Sequence, residues 1–542
     1  MSRAVWIDGA RFLLSPSSLI GEGGEAEIYD LGDGRVVKWW KPPDHPDFVG
    51  NADAQAAANQ RLAERPRKLR ALPGRLPAAI VAPSGFALSG KRSTDVVGYV
   101  MPKVTGVPLH SYGEPRWRQD HKIAGADLIA LLLALHDAIG ALHAADVVIG
   151  DCNDLNVLVD GRRVHLIDVD SYQFAGFSCP MFSERFVDPR LCDGAGAWVH
   201  PHDRASDWFA FAMMAFRSLL WLSPWGGVHQ PADPTKRCPP PLRALRRISV
   251  YAKDIIYPRA SRPVATLPDE LNAVFRAIFE RDQRSAFPRE QLEQLQLRPC
   301  ATCKQEHARV RCPACQTAAL LPPVVVQGRL RWSKLPLAEV MPASYCIGHT
   351  TPIRIDAGAL WRSGKLGPER IGNVLANHTQ AWASAKLGVG FYRAGGYTVG
   401  FVFRPDRGVL DDRVALPAIR GQIIRTTAAV ASDRAWLFIT TVDAGRMVTT
   451  CCVIAADGSV IACAPITEPW LAGAEGACAI GAHLFVPTDA GLTRIEVIQG
   501  VILPTRTFAE TASLICSADR IVPYADGLAA ARRDDALCMH LS

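Results

Sequence analysis

The spacing of apolar and polar positions divides the chain into a mixed part and a β-rich part. Residues 1 to about 103 alternate short β-type runs with Gly and Pro, and an Ala- and Arg-rich stretch at 51–72 has a helical period. Further helical periods lie at 126–145, at 206–222 and from Pro268 to near Arg298. Beyond Pro322 the helical period disappears, and runs such as AWLFITTV and MVTTCCVIA recur between Gly, Asp and Asn turns. The pattern predicts a multidomain α+β chain that ends in an all-β domain.

The β-rich part contains imperfect copies of one multi-strand unit. The segments DRAWLFITTVDAGRMVTTCCVIAADGSVI, GAHLFVPTDAGLTRIEVIQGVIL and ADRIVPYADGLAAARRDDALCM recur at about the forty-residue period of propeller blades. About five such blades fit into the tail. A β-sandwich has similar strands without the internal period, so it stays the alternative. We expect a β-propeller-like domain at 323–542.

Length and composition exclude several classes of protein. At 542 residues the chain is too long for one hydrophobic core, and its 49% hydrophobic and 21% charged residues are those of an ordinary folded protein. The net charge of +7 is spread over mixed segments, so we expect no nucleic-acid interface. The start lacks the apolar core of a signal peptide, and charged residues within the apolar stretches 128–149 and 208–222 suit buried helices. We therefore expect a cytoplasmic protein without a membrane segment.

Four of the fifteen cysteines form a metal-type cluster between the two parts. The segment CATCKQEHARVRCPAC holds two CxxC pairs, formed by Cys300, Cys303, Cys312 and Cys315. Two such pairs place four thiolates around one zinc ion and leave no open position for catalysis. A pair of disulfides is the alternative, which a reducing compartment disfavours. The sequence predicts a structural zinc ribbon at 299–322 that forms a rigid joint between its neighbours, with His307 on its surface.

Polar residues interrupt two apolar runs in VVIGDCNDLNVLVDGRRVHLIDVDSYQF, residues 147–174. The runs of Val, Ile and Leu are typical of buried strands. The polar side chains are costly at the edge of an apolar core unless something compensates for them. They belong to Asp151, Asn156, Asp168 and Asp170. Because a bound cation would satisfy such groups, the segment predicts a cation site.

A glycine-rich hairpin near the N-terminus is a candidate phosphate-binding loop. The segment LIGEGGEAEIYDLGDGRVVKWW places Gly21, Gly23 and Gly24 between β-type residues and continues into an apolar run that carries Lys38. Glycines let backbone N–H groups approach phosphates, and a lysine on the neighbouring strand can neutralise them. A plain turn explains the same glycines, so the hairpin alone does not decide between the two interpretations.

The order of these motifs resembles that of the protein kinase family over about residues 12–297. The resemblance implies a bilobal protein-kinase-like fold at 1–298, with the N-lobe at about 1–103 and the C-lobe at about 104–298. It implies that Asp151 accepts the proton of a substrate hydroxyl, while Asn156 and Asp168 hold magnesium or manganese across the phosphates of ATP. The residues implied in nucleotide binding are Gly21, Gly23, Gly24, Ile28, Val36, Lys38, Glu64, Met101, Lys103, Asn156 and Asp168.

Within that set the resemblance gives individual residues separate tasks. Lys38 would bind phosphates and pair with Glu64 of the following helix, although Pro66 lies close to that glutamate. The backbone from Met101 to Lys103 would bind the adenine edge. In RASDWFAF, Asp207 matches the buried aspartate that begins the central helix of kinases.

Several residues depart from the kinase pattern. Ile149 and Gly150 replace the usual His-Arg, which makes control by loop phosphorylation doubtful. Asn153 replaces a lysine, which removes a cation from the transferring phosphoryl group and favours slower chemistry. Asp170 stands where a glycine is usual, either as a further metal ligand or as a capping residue.

A further departure affects an ion pair of the kinase fold. Arg190 stands where a glutamate would pair with an arginine like Arg284. The usual salt bridge cannot form between two arginines. We hypothesise that Asp188 substitutes for the glutamate.

Four short sequence segments indicate a subfamily of kinase-like proteins. The segments IGEGGEAEIY, VVKWWKPP, GYVMPK and IDVDSYQF are most similar to bacterial kinase-like proteins that accompany a PPM-type phosphatase and a von Willebrand A-type protein in stress and tellurite-resistance clusters. The resemblance implies these two as partners besides a protein substrate. The function that follows is an ATP- and magnesium-dependent serine/threonine kinase whose β-rich tail binds or senses a partner.

Two other functions fit the same resemblance. A pseudokinase scaffold would bind nucleotide and present the propeller to partners, and Asn153, Arg190 and the glycine loop with Ala26 in place of its third glycine favour it. The four residues Lys38, Asp151, Asn156 and Asp168 oppose it. Phosphorylation of a small molecule ranks last.

Overall fold

The computed structural model describes residues 3–317, 324–327, 330–336, 353–356, 358–364, 367–374, 379–394, 397–414, 416–417, 419–443, 445–524, 527–531 and 535–541. Contacts divide the chain into two compact units. The first unit comprises Met1–Leu31, Lys38–Asn59 and Leu321–Ser542, and the second comprises Gly32–Val37 and Gln60–Leu320. Part of the N-terminal region therefore belongs to the same unit as the β-rich tail. The domain boundaries expected at 298 and 322 stay predictions.

Short strands and one long helix form the N-terminal region. They are β1 (Arg3–Ile7), β2 (Ala10–Leu14), β3 (Leu19–Glu22), β4 (Ala26–Asp30), β5 (Arg35–Trp40), α1 (Ala52–Arg70), β6 (Gly85–Leu88) and β7 (Val96–Pro102). Antiparallel hairpins join β1 to β2, β3 to β4, and β6 to β7. Helix α1 continues through Pro66, so the proline, which removes one backbone donor, does not end it.

Helices with apolar faces build the second unit. Its further elements are β8 (Val107–Pro108), α2 (Pro115–Asp120), α3 (Gly125–Ala144), β9 (Val157–Asp160), β10 (Arg163–Leu166), α4 (Arg204–Leu220), β11 (Val228–His229), α5 (Pro240–Arg243), β12 (Ile255–Ile256), α6 (Asp269–Glu280), α7 (Arg289–Glu293), β13 (Arg298–Pro299), β14 (Glu306–His307) and α8 (Pro313–Thr317). Leu132 of α3, Phe216 of α4 and Phe275 of α6 are fully buried in one core. The rings of Phe216 and Phe275 meet edge to face at 5.0 Å. This packing fixes α4, which carries Asp207, against α3 and α6.

Helix α3 has the length and composition of a membrane span. Its most apolar window has a mean hydropathy of 1.7, and half of that window is buried inside the protein. Leu128, Leu132 and Ile139 are among its buried residues. These side chains recur at helical spacing and supply the core of the second unit.

The tail is all-β in the part of it that the structure describes. Its strands are β15 (Val324–Gln327), β16 (Leu330–Pro336), β17 (Ile353–Asp356), β18 (Ala359–Gly364), β19 (Gly367–Asn373), β20 (Gln380–Ala383), β21 (Gly388–Ala394), β22 (Tyr397–Arg404), β23 (Val409–Val414), β24 (Gln422–Val430), β25 (Arg434–Asp443), β26 (Arg446–Ala455), β27 (Val460–Ile466), β28 (Cys478–Ile480), β29 (His483–Thr488), β30 (Gly491–Ile498), β31 (Val501–Phe508), β32 (Arg520–Tyr524), β33 (Gly527–Ala531) and β34 (Asp535–Leu541). The sequence prediction of an all-β tail is confirmed.

Five sheets are formed by these described strands. Four of them use consecutive strands, in the orders β17-β18-β19, β20-β21-β22-β23, β24-β25-β26-β27 and β28-β29-β30-β31. The fifth joins the two ends of the tail, because β16 pairs antiparallel with β34. Edge strands of neighbouring sheets contact each other, β20 with β24, β24 with β28, and β28 with β32. These features favour the propeller over the sandwich, and the propeller stays a prediction.

A disulfide in the tail has no signal in the sequence. Cys452 of β26 lies directly opposite Cys463 of β27, and the two sulfur atoms are bonded. Both residues occur in a β-rich run without a recognisable cysteine motif. Only the strand register brings them together.

Candidate active site

A buried carboxylate fixes the backbone in front of Asp151. Asp207, in the first turn of α4, is fully buried. Its carboxylate accepts hydrogen bonds from the backbone N–H groups of Ile149 at 2.8 Å and Gly150 at 2.9 Å, and it contacts His143 Nε2 at 2.9 Å. Three polar contacts to one buried carboxylate hold the loop in a single conformation. Asp207 is thus a buried aspartate at the start of a helix, and its equivalence to the kinase aspartate stays a prediction.

Gly150 can be only glycine in this loop. Its φ of +76° lies in the left-handed region, and an added Cβ would lie 2.6 Å from Cys179 Cβ. The residue that replaces the usual arginine is therefore required by the path of the chain directly before Asp151.

Two amide side chains hold Asp151 from the other side. Asn153 Nδ2 donates to the Asp151 carbonyl oxygen at 3.1 Å and to its carboxylate Oδ1 at 3.0 Å. Asn156 Nδ2 donates to the same carbonyl at 3.0 Å. Asn153 Oδ1 in turn accepts the N–H groups of Leu155 and Asn156. Asn153, which replaces a lysine, orients the carboxylate by hydrogen bonding rather than by charge.

The β9–β10 hairpin brings Asn156 and Asp168 to the same end of two paired strands. Val157 lies opposite Leu166, and the backbone N–H of Ile167 donates to the Asn156 carbonyl at 3.0 Å. Asp168 follows with a φ of +71°, a left-handed conformation that aspartate tolerates better than most residues. Its carbonyl accepts the N–H of Ser171 at 2.9 Å and the hydroxyl of Ser171 at 2.8 Å. The second unit therefore brings together Asp151, Asn156 and Asp168.

Asp170 makes contacts that neither sequence interpretation included, and its role as a metal ligand stays a prediction. It is 2% exposed, accepts the Tyr99 hydroxyl at 3.0 Å and lies 3.3 Å from Arg65 Nε. Burial and the nearby Asp170 carboxylate raise the pKa of Tyr99 well above its ordinary value, so the phenol stays a donor. Asp170 thus ties the segment after Asp168 to helix α1 and to strand β7.

Helix α1 carries two basic residues that the sequence interpretation missed. Arg65 pairs with Asp170, and Lys68 Nζ donates to the Ser178 carbonyl at 3.0 Å. Burial lowers the pKa of Lys68. The signal was the spacing of the two residues, because positions three apart share one face of a helix. Glu64, half-buried on the same helix, was singled out instead, and its pairing with Lys38 stays a prediction.

The hypothesis that Asp188 replaces the missing glutamate is confirmed. Its two carboxylate oxygens accept Arg284 Nε at 2.8 Å and Arg284 Nη2 at 2.9 Å. Arg190 adds bonds to the same carboxylate. Burial alone would raise the pKa of Asp188, but the two guanidinium groups outweigh it and lower the pKa. The ion pair persists with its acidic partner moved two positions along the chain.

A small cleft with an accessible volume of about 10 Å³ lies beside Asp151. Its walls are formed by Gly150, Asp151, Cys152, Ser183, Phe186, Val187, Asp188, His202 and Ser206. Burial lowers the pKa of His202, whose Nε2 lies 2.9 Å from the Met181 carbonyl and therefore carries the proton. A volume of this size holds about one water molecule.

The residues implied in nucleotide binding are distributed over both units. Val36, Glu64, Met101 and Lys103 belong to the second unit together with Asp151, Asn156 and Asp168. Val36 and Met101 are buried, and the Lys103 N–H donates to the Gly34 carbonyl at 2.9 Å. Those in the first unit are Gly21, Gly23, Gly24, Ile28 and Lys38. Gly21 faces Ile28 across the β3–β4 hairpin, and the Gly23 N–H donates to the Ala26 carbonyl at 2.9 Å. Their joint action on one nucleotide is a proposal.

The four clustered cysteines have the geometry of a zinc site. Their sulfur atoms all lie within 4.8 Å of one another. Cys300 and Cys315 are 3.7 Å apart at sulfur, and Cys303 and Cys312 are 3.5 Å apart. Four thiolates at about 2.3 Å from a tetrahedral zinc ion would be roughly 3.8 Å apart, so the set fits zinc. A grouping of all four thiolates favours one metal ion over two disulfides.

The loop between the two cysteine pairs is anchored in the second unit. Glu306 Oε1 accepts the Gly125 N–H at 2.7 Å, at the start of α3. Glu306 Oε2 pairs with Arg262 at 3.1 Å and Arg118 at 3.5 Å. His307 is 8% exposed, so its expected surface position is wrong. Glu306 thus neutralises two buried arginines and holds this loop against the second unit.

Comparison with known proteins finds a distant similarity to two bacterial proteins named as kinases. No model of a known protein family matches the chain. Over 284 residues it is 26% identical to protein kinase YegI of Escherichia coli O157:H7, a match that covers 49% of this chain and 41% of that protein. Protein kinase YegI of Escherichia coli strain K12 is 26% identical over 278 residues, which cover 48% of this chain and 40% of that protein. The chain thus spans about two fifths of the length of these curated relatives and is a distant relative of them.

Proposed function

We propose that this chain is an ATP- and magnesium-dependent protein kinase that phosphorylates serine or threonine hydroxyls of a protein. The observation that carries the proposal is the constellation of Asp151, Asn156 and Asp168 in the second unit. Asp207 and the β9–β10 register hold these residues with their backbone fixed. The distant relationship to proteins named as kinases points to the same chemistry.

In this proposal catalysis consists mainly of positioning and charge neutralisation. Asp151 accepts the hydroxyl proton as the substrate oxygen bonds to the γ-phosphorus and the bond to the leaving oxygen of ADP breaks. Asn156 and Asp168 hold magnesium, which supplies charge neutralisation on the phosphates. Lys38 neutralises the phosphates, and the glycines at 21, 23 and 24 let backbone N–H groups approach them. Asn153 keeps the Asp151 carboxylate oriented toward the cleft side of the loop.

Zinc at the four cysteines belongs to the proposal as a structural ion. Cys300, Cys303, Cys312 and Cys315 would hold it with no position open to substrate. Its role is to fold a segment too short for a core of its own. The tail is proposed to bind or sense a partner, and a PPM-type phosphatase and a von Willebrand A-type protein in the cytoplasm are the proposed candidates.

A nucleotide-binding scaffold without transfer activity is the second candidate. Asn153 favours it, because its amide donates to the Asp151 carboxylate at 3.0 Å, and a hydrogen-bonded carboxylate is a weaker base. The absence of the usual lysine at this position also lowers the expected rate.

Radiolabel transfer from ATP to a generic protein substrate separates the candidates. We expect Asp151→Asn to lower the rate of transfer about a hundredfold or more while the Kd for ATP changes less than about twofold. Asp168→Asn should lower both transfer and magnesium-dependent ATP binding. Asp233→Asn is the matched control, because Asp233 is exposed and its side chain bonds only to Thr235 of its own turn in the described contacts.

Two outcomes would contradict the kinase. Full transfer by both variants would mean that other residues catalyse it. Binding of ATP by the wild type without transfer to itself or to any protein offered would establish the scaffold instead.

A further inference from the structure

The glycine-rich hairpin and the β-rich tail lie in one compact unit, and a buried cluster of charges joins them. Glu22 ends strand β3, directly before the turn that contains Gly23 and Gly24. Its carboxylate Oε1 lies 3.5 Å from Arg393 Nη2 of strand β21. Both side chains are 7% exposed. An ion pair with so little contact to water resists salt and is costly to break from one side.

Arg393 is fixed at its other end. Its guanidinium donates to the Gly421 carbonyl at 2.5 Å and to the Ile419 carbonyl at 2.8 Å. Gly421 has a φ of +79°, and a Cβ there would lie 2.2 Å from the Val442 carbonyl oxygen. The segment of Ile419 and Gly421, which holds Arg393, is therefore itself closely packed. The position of this segment determines where the Arg393 guanidinium contacts Glu22.

Lys41 extends the cluster to the turn of the hairpin. Its side chain is fully buried, and Nζ donates to Glu22 Oε1 at 3.0 Å and to the Gly23 carbonyl at 2.8 Å. Asp47 pairs with the same ammonium. The Lys41 N–H also donates to the Glu25 carbonyl at 2.9 Å. The turn that contains Gly23 is thus held by the same charges that contact the β-rich tail.

We propose that Arg393 of the β-rich tail is a positioning residue for the glycine-rich hairpin. A change in the conformation of the tail would then shift the hairpin, which is the segment that would cover the nucleotide phosphates. This inference rests on the proposed function for its consequence, the control of ATP affinity by the tail. A partner that shifts the segment of Ile419 and Gly421 would loosen the hairpin and weaken nucleotide binding.

Charge gives the expected direction of the effect. Lys41 and Arg393 balance Glu22 and Asp47, so removal of Arg393 leaves an uncompensated negative charge beside the phosphate-binding turn. A negative charge there repels the triphosphate. We expect Arg393→Gln to raise the Kd for ATP about threefold to tenfold. In the double variant Glu22→Gln with Arg393→Gln the charge is balanced while the contact stays broken, so its Kd should stay above that of the wild type.

Hydrogen exchange of the full chain tests the link without any nucleotide. Both Glu22→Gln and Arg393→Gln should raise amide exchange of the peptide over residues 19–27 by about tenfold, since each removes one end of the same contact. Arg494→Gln is the control, because Arg494 pairs with Glu496 inside the tail at 2.7 Å. It should leave exchange of the hairpin unchanged. Glu22→Gln leaves the tail's own contacts intact, so it reports on the link even where Arg393→Gln folds poorly.

The outcomes separate the inference from the proposed function. Unchanged exchange of residues 19–27 in Glu22→Gln would overturn the positioning role of Arg393. A Kd for the double variant that returns to the wild-type value would overturn the coupling of hairpin position to nucleotide affinity, because charge alone would then explain the effect of Arg393→Gln. If Glu22→Gln raises exchange of the hairpin while the wild-type chain binds no ATP, the link is supported and the kinase is refuted.

Discussion

At the scale of single residues, Asp207 fixes the loop that carries Asp151 without being one of the residues that would touch a substrate. Its carboxylate accepts the N–H groups of two successive residues that directly precede Asp151, and it also contacts His143. Helix α4 holds this carboxylate in place through its own start, where Asp203 and Ser206 form a capping box. The geometry of the loop therefore depends on a residue more than fifty positions further along the chain.

Substitution of Asp207 by asparagine tests this dependence. The amide of Asp207→Asn can accept at only one atom and places an NH₂ group against donors, so we expect a loss of about 3 kcal/mol of unfolding free energy. Transfer activity should fall at least a hundredfold, because the loop that carries Asp151 loses its fixed backbone. Denaturant unfolding and the transfer assay measure the two effects.

The same substitution in the same helix supplies the control. Asp203→Asn keeps a good N-cap residue and should change stability by only a few tenths of a kcal/mol. Equal losses in both variants would mean that Asp207 acts only through the stability of α4.

The candidate site residues could be predicted from the sequence one by one, but the long-range contacts that hold their segments in place could not. The sequence singles out Asp151, Asn156 and Asp168 because polar residues at the ends of apolar runs need compensation. Arg65 and Asp170 instead form a contact between a helix and a loop about a hundred residues apart, and no local pattern reports such a pair. The pairing of Asp188 with Arg284 could be predicted, because Arg190 stands where the acidic partner is usual and the acidic residue must therefore come from a nearby position.

At the scale of elements, the β9–β10 hairpin and the cysteine ribbon follow from short-range signals. Two apolar runs predict two strands, and the register of the hairpin that they form brings Asn156 and Asp168 to the same end. The CxxC spacing predicts the four-sulfur cluster for the same reason, since each pair is made within one tight turn. The buried loop with Glu306 and His307 was missed, because its partners lie on α2, α3 and the segment before α6.

The ribbon should make the stability of the second unit depend on zinc. A strong chelator should remove one zinc ion per chain and lower the midpoint of thermal unfolding by about 5 °C, because Glu306 then loses its fixed position against Gly125 and Arg262. Cys303→Ser should reproduce this loss. Cys192→Ser, outside the cluster, should keep both the metal content and the midpoint.

Metal analysis and differential scanning calorimetry check this expectation. A chain that contains no zinc after expression in zinc-supplemented medium, yet unfolds at the same temperature with and without the chelator, would show that the thiolates pack without a metal.

At the scale of the whole molecule, the division into units differs from the order of the motifs. The chain passes from the first unit to the second at Gly32, returns at Lys38 and leaves again at Gln60. Sequence patterns identify consecutive segments, so they predict a division into consecutive domains. Which segments share a core depends on contacts between residues far apart in the chain, and the grouping of the glycine-rich hairpin with the tail is of this kind.

Each unit has a core of its own, and this gives the last prediction. Phe216 is fully buried in the core of the second unit, and Trp436 is fully buried in a core of the first. Replacing either with alanine should cost about 3–5 kcal/mol through lost burial and the cavity left behind. Because the cores are separate, each loss should lower the unfolding temperature of its own unit more than that of the other.

Hydrogen exchange during thermal or denaturant unfolding assigns each transition, with peptides from α4 reporting on the second unit and peptides from β25 on the first. Equal shifts of both sets of peptides by both variants would mean that the chain unfolds as one cooperative body, in which case a ligand of the tail would also stabilise the loop that carries Asp151.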